Sequence, residues 1–357
     1  MTARTLQIPL LLMTLLTNVP ELGSYTRSEA TRCTYRIETD SRTNWEIYVL
    51  TCSQPSEPSR SLEARISPEA GNNLFSLKIG ETELLEQPAE LSGLPGVRYG
   101  IPILFPTPNR VRESRFVFAG RSFSFPANER THFIHGLVHS AKWQADSPTV
   151  TPDGVVLNTW LDWNASLATF SLFPIRHRLT VSYLLKPEGV RIGFAVLNLE
   201  ETPLPFGFGL HPYFRILGQR SETRLFVQAQ KHMQAEGRLP TGVLEELDGT
   251  RYDLRAPASL DALDLDDVYW GMSPSRLASY ESVDGGICLS LRASQAFTHM
   301  VVYTPRGRPF FCLENQTCST DAHNLHSRGL SRESHLLVAN KGSPVAGWVE
   351  LKVERIR

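Results

Sequence analysis

From about Tyr35 onward, large apolar side chains recur at every second position in short runs, the pattern of strands that turn one face to a core. In Val190-Arg191-Ile192-Gly193-Phe194-Ala195-Val196 the bulky residues alternate strictly, and Phe116, Phe118, Phe123 and Phe125 flank an Ala119-Gly120 turn, which predicts a strand and a hairpin. Further strands are predicted at Thr180 to Leu185, Leu225 to Gln230, Ile287 to Leu291, Met300 to Tyr303, Phe310 to Glu314, Ser334 to Ala339 and Trp348 to Val353. Gly, Pro, Asn and Asp punctuate them, as in Asp284-Gly285-Gly286. Long helical periodicity is absent, so the expectation is an all-β chain folded as an antiparallel sandwich or barrel-like structure. Its core is expected to include Phe116, Phe118, Ile192, Phe194, Val196, Val227, Leu289, Val301 and Val349. No internal repeat and no shift of composition divides this part, which favours one domain over residues 32 to 357. Gln54 to Ser61 reads as a surface loop, and the acidic run Asp261 to Asp267 as a short helix or a functional loop.

Residues 1 to 31 stand apart as an N-terminal extension. Leu6 to Val19 is apolar enough to suggest a signal segment and too short to span a bilayer. Against a signal stand the single basic residue Arg4, the interruption at Pro9 and the lack of an A-x-A site. A cytoplasmic location is therefore the expectation, with bacterial export the alternative. Asn164-Ala165-Ser166 and Asn315-Gln316-Thr317 match the glycosylation pattern, but a glycan on Asn315 would obstruct the chemistry argued next for its neighbour, which speaks against a eukaryotic secretory history. In a chain of 357 residues, 36 Lys plus Arg against 37 Asp plus Glu leave a net charge of -1, with no basic stripe for nucleic acid. Five cysteines are too few for a disulfide scaffold, and their odd number leaves at least one unpaired.

Polar residues that interrupt apolar strands carry the candidate chemistry. In Phe310-Phe311-Cys312-Leu313-Glu314-Asn315-Gln316-Thr317 an aromatic strand ends in a carboxylate, where low-dielectric surroundings would raise the carboxyl toward the range useful for proton transfer; the plainer alternative is a solvent-facing loop residue. In Phe206-Gly207-Phe208-Gly209-Leu210-His211-Pro212-Tyr213-Phe214 two glycines allow close backbone approach beside a histidine able to act near neutral pH, or else a core histidine bonded to a carbonyl. His135-Gly136 and the proline-stiffened Pro106-Thr107-Pro108-Asn109-Arg110 complete the set, with Arg110 suited to grip a sugar or a carboxylate through its planar fork. Metal motifs fail on spacing: His135-x-x-x-His139 lacks the following Glu, and Cys312 and Cys318 form no close pair, leaving only a weak possibility at Cys318, His323 and His326. Phosphate-cradling and serine-nucleophile motifs are missing as well.

In chain order, Asn109-Arg110, His135-Gly136, His211-Pro212-Tyr213-Phe214, Asp266-Asp267-Val268-Tyr269 and Glu314-Asn315-Gln316 resemble the aldose 1-epimerase (galactose mutarotase) family over roughly residues 32 to 357. The resemblance implies a large antiparallel β-sandwich with an open sugar cleft and an activity that interconverts the α and β anomers of a free hexose. It makes Glu314 the base, His211 the acid, His135 a second active-site histidine, Arg110 with Asn109 a sugar-binding pair, Asp266 or Asp267 the aspartate that holds sugar hydroxyls, and Gln316 a substrate contact. The partner it implies is a small-molecule hexose, with neither nucleic acid nor membrane. No metal or organic cofactor is implied, because no hydride, electron or phosphoryl group moves. Two departures, Gly136-Leu137-Val138-His139 in place of a double glycine and the Cys318-Ser319-Thr320-Asp321-Ala322 run in place of a proline-bearing loop, suggest a divergent subgroup.

Three other readings are distinguishable. A hexose-phosphate mutarotase needs added cations at the cleft rim, for which Arg98, Arg112 and Arg115 are candidates. A glycoside hydrolase needs a second carboxylate opposite Glu314, for which Asp266 or Asp267 serves. A carbohydrate-binding protein without turnover would not need the acid and base. Phe208, Tyr213, Tyr269 and Trp270 are candidates to stack on a sugar face.

Overall fold

A computed structural model describes residues 32–356, and the N-terminal extension with its possible signal segment lies outside the described residues. The structure is built almost wholly of strands, and every pairing between them is antiparallel. A ten-stranded sheet is centred on Gly154–Trp163, His177–Lys186, Gly189–Asn198, Val345–Arg355 and Ile287–Ala293, neighbours in that order. An eight-stranded sheet runs through Leu239–Glu246, Lys231–Glu236, Asp266–Trp270, His299–Tyr303, Phe310–Gln316, Gly209–Leu210 and Ile103–Leu104. A five-stranded sheet spans Arg32–Thr39 to Thr82–Glu83.

One apolar cluster draws on all three sheets, with Leu50 and Leu62 from the smallest, Val181, Ile192 and Phe194 from the largest, and Met300, Phe311 and Leu313 from the eight-stranded one. Non-directional burial of this apolar surface is the main force that holds the layers together. Phe116, Ile192, Phe194, Val196, Val227, Leu289 and Val349 lie in the cluster as expected. Phe118 is only half-buried against its edge. Val301 is buried but stands outside the cluster. The reason is register: it lies opposite Glu314, and directly opposed residues share a face, so Val301 belongs to the other face of its sheet.

The alternating segments fold as strands with modest shifts at their ends. The predicted run Leu225 to Gln230 is the strand Thr223–Val227, and Phe310–Gln316 extends two residues past Glu314. Ser334 to Ala339 is strand only over Leu337–Ala339, because a short helix, Ser331–Ser334, occupies its start. The acidic run resolves into the single turn Leu260–Ala262 and a strand that begins at Asp266. Cys33 and Cys52, opposed on neighbouring strands, form a disulfide, and Cys288, Cys312 and Cys318 remain free. Among the described residues no helix is long and apolar enough to cross a membrane.

Candidate active site

Period-two alternation on the eight-stranded sheet divides chemistry from core. On Phe310–Gln316, Phe311 and Leu313 enter the apolar cluster, so Cys312, Glu314 and Gln316 stand on the opposite face. Pairing carries that face sideways: Cys312 opposes Tyr303, which opposes Asp266. Asp267, one residue on, falls on the core side, where its Oδ1 lies 3.0 Å from His232 Nε2. The same slip buries Tyr269 completely. Asp266, not Asp267, therefore reaches the cavity that this face borders.

Two loops complete the wall. Gly209–Leu210 is inserted between Ile103–Leu104 and Phe310–Gln316, which delivers His211 beside Glu314. Close approach here requires glycine: a Cβ on Gly207 would run into Cys318 Sγ and Pro108. The second loop pairs Arg110 with Ile134, and the His135 amide donates to the Asn109 carbonyl at 3.0 Å. Asn109 and His135 both hold positive φ, of 58° and 73°, and Gly136 follows at 75° with its Cα against the Phe105 carbonyl. Non-glycine residues in this left-handed region cost energy that surrounding contacts must supply.

The cavity, open to solvent on one side, is about 250 Å³ and is bordered by Asn109, Arg110, Glu129, Ile134, His135, His211, Tyr213, Arg238, Asp266, Tyr303 and Glu314. Typical ligand pockets begin near ~300 Å³, so this one has room for a single small ring compound. At its floor Glu314 Oε1 lies 3.3 Å from His211 Nε2. Both side chains are almost wholly buried. Burial, with the Asp266 carboxylate adding to it, pushes the Glu314 carboxyl well above its ordinary range, against weaker opposition from the Gln316 amide and Arg110. Burial likewise draws His211 down to about 3. Burial and the neighbouring His211 hold His135 well below the usual imidazole range. The arrangement thus favours a neutral carboxylic acid beside a neutral imidazole over a buried ion pair.

Arg110 is held on three sides. Its Nε and Nη2 donate to the two Glu129 oxygens at 2.7 and 2.9 Å, its Nη1 to Asn109 Oδ1 at 3.2 Å, and Nη2 lies 3.5 Å from Asp266 Oδ2. Arg238, exposed at the tip of the hairpin that joins Lys231–Glu236 to Leu239–Glu246, reaches Asp266 at 3.4 Å and Glu129 at 3.9 Å. Tyr213 stacks on His211 with ring centroids 4.6 Å apart and donates its hydroxyl to the Val97 carbonyl, which braces the imidazole. His135 meets His211 edge-on at 5.1 Å.

Of the residues singled out in the sequence, Glu314, His211, His135, Arg110, Asn109, Asp266 and Tyr213 converge on this cavity. Gln316 stands behind it, fully buried, and donates to Glu314 Oε2 at 3.0 Å. Phe208 and Tyr269 are core, and Trp270 packs under Arg332 outside the cavity lining. Arg98, Arg112 and Arg115 are not part of the lining; Arg112 engages Asp321 and Arg115 engages Glu113. His323 stacks on Phe116 and faces the Pro205 carbonyl, so it takes no part with Cys318 and His326 in a metal cluster. Asn315 is buried, which leaves no room for a glycan there. Glu129 and Arg238 carry no sequence signal of their place in the wall, because an isolated Glu in Asn128-Glu129-Arg130 resembles any solvated turn and Gly237-Arg238 any exposed pair.

A sequence profile described as aldose 1-epimerase matches residues 60–335. Mouse (Mus musculus) galactose mutarotase is 25% identical over 201 residues, which cover 55% of this chain and 56% of that protein, so the match spans little more than half the length of that relative. The uncharacterized protein YphB of Escherichia coli is 24% identical over 284 residues, 77% of this chain and 90% of its own. Among solved structures, a galactose mutarotase-like protein from Clostridium acetobutylicum superposes with a TM-score of 0.78 at 20% identity, covering 91% of this chain and 99% of that one. Galactose 1-epimerase from Lactobacillus acidophilus superposes with a TM-score of 0.71 at 16% identity, covering 92% and 100%. At such identities the superpositions establish the β-sandwich fold, while the profile match over more than three quarters of the chain establishes the lineage: the chain belongs to the aldose 1-epimerase family.

Proposed function

We propose that the protein is an aldose 1-epimerase that interconverts the α and β anomers of a free, unphosphorylated hexose by acid-base ring opening and closure. The single observation that carries the reading is the buried 3.3 Å contact between Glu314 and His211 at the floor of a polar cavity sized for one pyranose. Anomer exchange needs the C1 hydroxyl to lose a proton while the ring oxygen gains one, so a base and an acid must flank one sugar. Glu314 accepts the C1 proton as protonated His211, or neutral His135, donates to the ring oxygen. The C1–O5 bond breaks, C1 rotates about C1–C2, and closure on the other face returns both protons.

Burial acts oppositely on the two halves of this cycle. Ring opening through His211 starts from a carboxylate and an imidazolium, which burial disfavours, and ends in the neutral acid and neutral imidazole that the surroundings prefer; closure has to re-form the ion pair. Each positioned group is worth roughly 100- to 10,000-fold in rate. Arg110, Asn109 and Asp266 line the cavity as partners for the sugar hydroxyls. The two cations of the wall, Arg110 and Arg238, face two carboxylates, Glu129 and Asp266, which supports a neutral ligand over a phosphorylated one. Asp266 is committed to these arginines and the space admits one ring, which weighs against glycoside hydrolysis.

Free glucose and galactose, their 6-phosphates and a short oligosaccharide, each offered to the purified protein, test the substrate class. Accelerated anomerisation of a free hexose is the expected outcome. A marked preference for a phosphate ester, or release of reducing sugar from the oligosaccharide, would overturn it.

A further inference from the structure

Cys312 sits on the same sheet face as Glu314, two residues before it and opposite the cavity residue Tyr303. A thiol sulfur, an imidazole nitrogen and a carboxylate oxygen, from Cys312, His211 and Glu314, all lie within 4.8 Å of one another. Thiolate, imidazole and carboxylate together form a donor set that suits zinc and neighbouring borderline-soft cations, while magnesium and calcium prefer oxygen alone. In a tetrahedral zinc site the N and O ligands stand roughly 3.3 Å apart, given bonds near 2 Å. The His211 to Glu314 separation of 3.3 Å already has that value. A side-chain shift of about 1 Å brings the others close to it. Gln316 holds Glu314 Oε2, which leaves Oε1 turned toward the imidazole. His211 and Glu314 border the cavity, so an ion has a route in.

We propose that His211, Cys312 and Glu314 form a binding site for a thiophilic divalent cation of the zinc class, and that ion and sugar exclude one another from the cavity. Coordination displaces the protons of the Cys312 thiol and of the neutral Glu314 carboxyl, and both are released to solvent. The ion is an inhibitor, because it occupies the acid and base together. The exclusion of sugar rests on the epimerase reading, whereas the coordination stands without it.

Cobalt(II) titration of the purified full chain, followed by thiolate-to-metal charge-transfer absorption, tests the site directly. Wild type should take up one cobalt with that absorption, release it to zinc and ignore magnesium. Cys312→Ala and His211→Gln, each shown to unfold at the wild-type temperature, should lose the band, and Cys312→Ala should bind zinc at least about 100-fold more weakly. If Cys312→Ala proves unstable, Cys312→Ser takes its place. In the anomerisation assay zinc should slow wild type, excess hexose should relieve it, and Cys312→Ala should keep its rate without zinc and lose the sensitivity. No charge-transfer band in wild type, or a band that survives in the cysteine variant, would overturn the site. Wild type that binds cobalt yet never anomerises a hexose would remove the epimerase reading and leave the metal site standing.

Discussion

The Arg110 guanidinium lies in a fork against the Glu129 carboxylate, with Nε and Nη2 at 2.7 and 2.9 Å from its two oxygens, and the pair forms one wall of the candidate site. A lysine cannot span both oxygens and keep a donor on Asn109. Arg110→Lys should therefore lower kcat/KM for the hexose by roughly 10- to 100-fold, the worth of one or two charge-assisted bonds, mainly through KM. Glu129→Gln should shift KM in the same direction by less. Steady-state kinetics check both, and an Arg110→Lys enzyme with unchanged KM would show that the fork does not position the sugar.

Gly136 permits the turn that aims His135. Its φ of 75° and its contact with the Phe105 carbonyl leave no place for a Cβ. Gly136→Ala should cost at least about 1–3 kcal/mol in thermal or denaturant unfolding and lower activity through His135. A variant as stable and active as wild type would mean that the loop has another conformation open to it.

Both glycines that matter most, Gly136 and Gly207, stand in segments that the sequence singled out, and seven of its candidate residues share one cavity. Alternation made this possible, since strands expose their chemistry at every second residue. What alternation could not supply was phase at strand ends. The doubled Asp266-Asp267 left the register open by one, and only the pairing of Asp266 with Tyr303 decides which carboxylate faces the cavity. Val301 is buried as its hydrophobicity predicts, but its pairing with Glu314 puts it on the face opposite the main cluster, which alternation without register cannot reveal. Glu129 was illegible because its role depends on Arg110, 19 residues away along the chain, and that contact is a product of the fold.

His177 lies buried between Trp163, Phe105 and Phe173, bonded to the Ile175 carbonyl, and burial draws it down to about 4. His299 and His323 are drawn down to about 3 by the same cause. The unfolded chain binds these protons near pH 6.5 and the folded one does not, so ν_U exceeds ν_N and stability rises with pH in that window. Their contribution is fully present above about pH 6.5 and is lost progressively as the pH falls toward 4 and below, on the order of 3 kcal/mol for His177 alone. Imidazole resonances followed by NMR should show His177 neutral down to about pH 4. A ring that titrates at its ordinary value in the folded protein would contradict the assignment.

The Cys33–Cys52 bond closes a loop of 19 residues across the outer pair of the five-stranded sheet. Replacing both cysteines by alanine should cost about 3 kcal/mol, as expected for a loop of this length. Thiol titration of the denatured, unreduced protein should find three free groups, Cys288, Cys312 and Cys318. Five would show that the bridge does not form.

In the proposed mechanism Glu314, in contact with His211, removes the anomeric proton. Optical rotation of freshly dissolved α-D-glucose and α-D-galactose, followed with wild type and with Glu314→Gln at equal concentration, tests it most directly. Wild type should speed the approach to equilibrium, and the variant, folded as judged by its unfolding temperature, should lose at least about 100-fold of that rate. Full activity in Glu314→Gln, or no acceleration by folded wild type with either sugar, would contradict it.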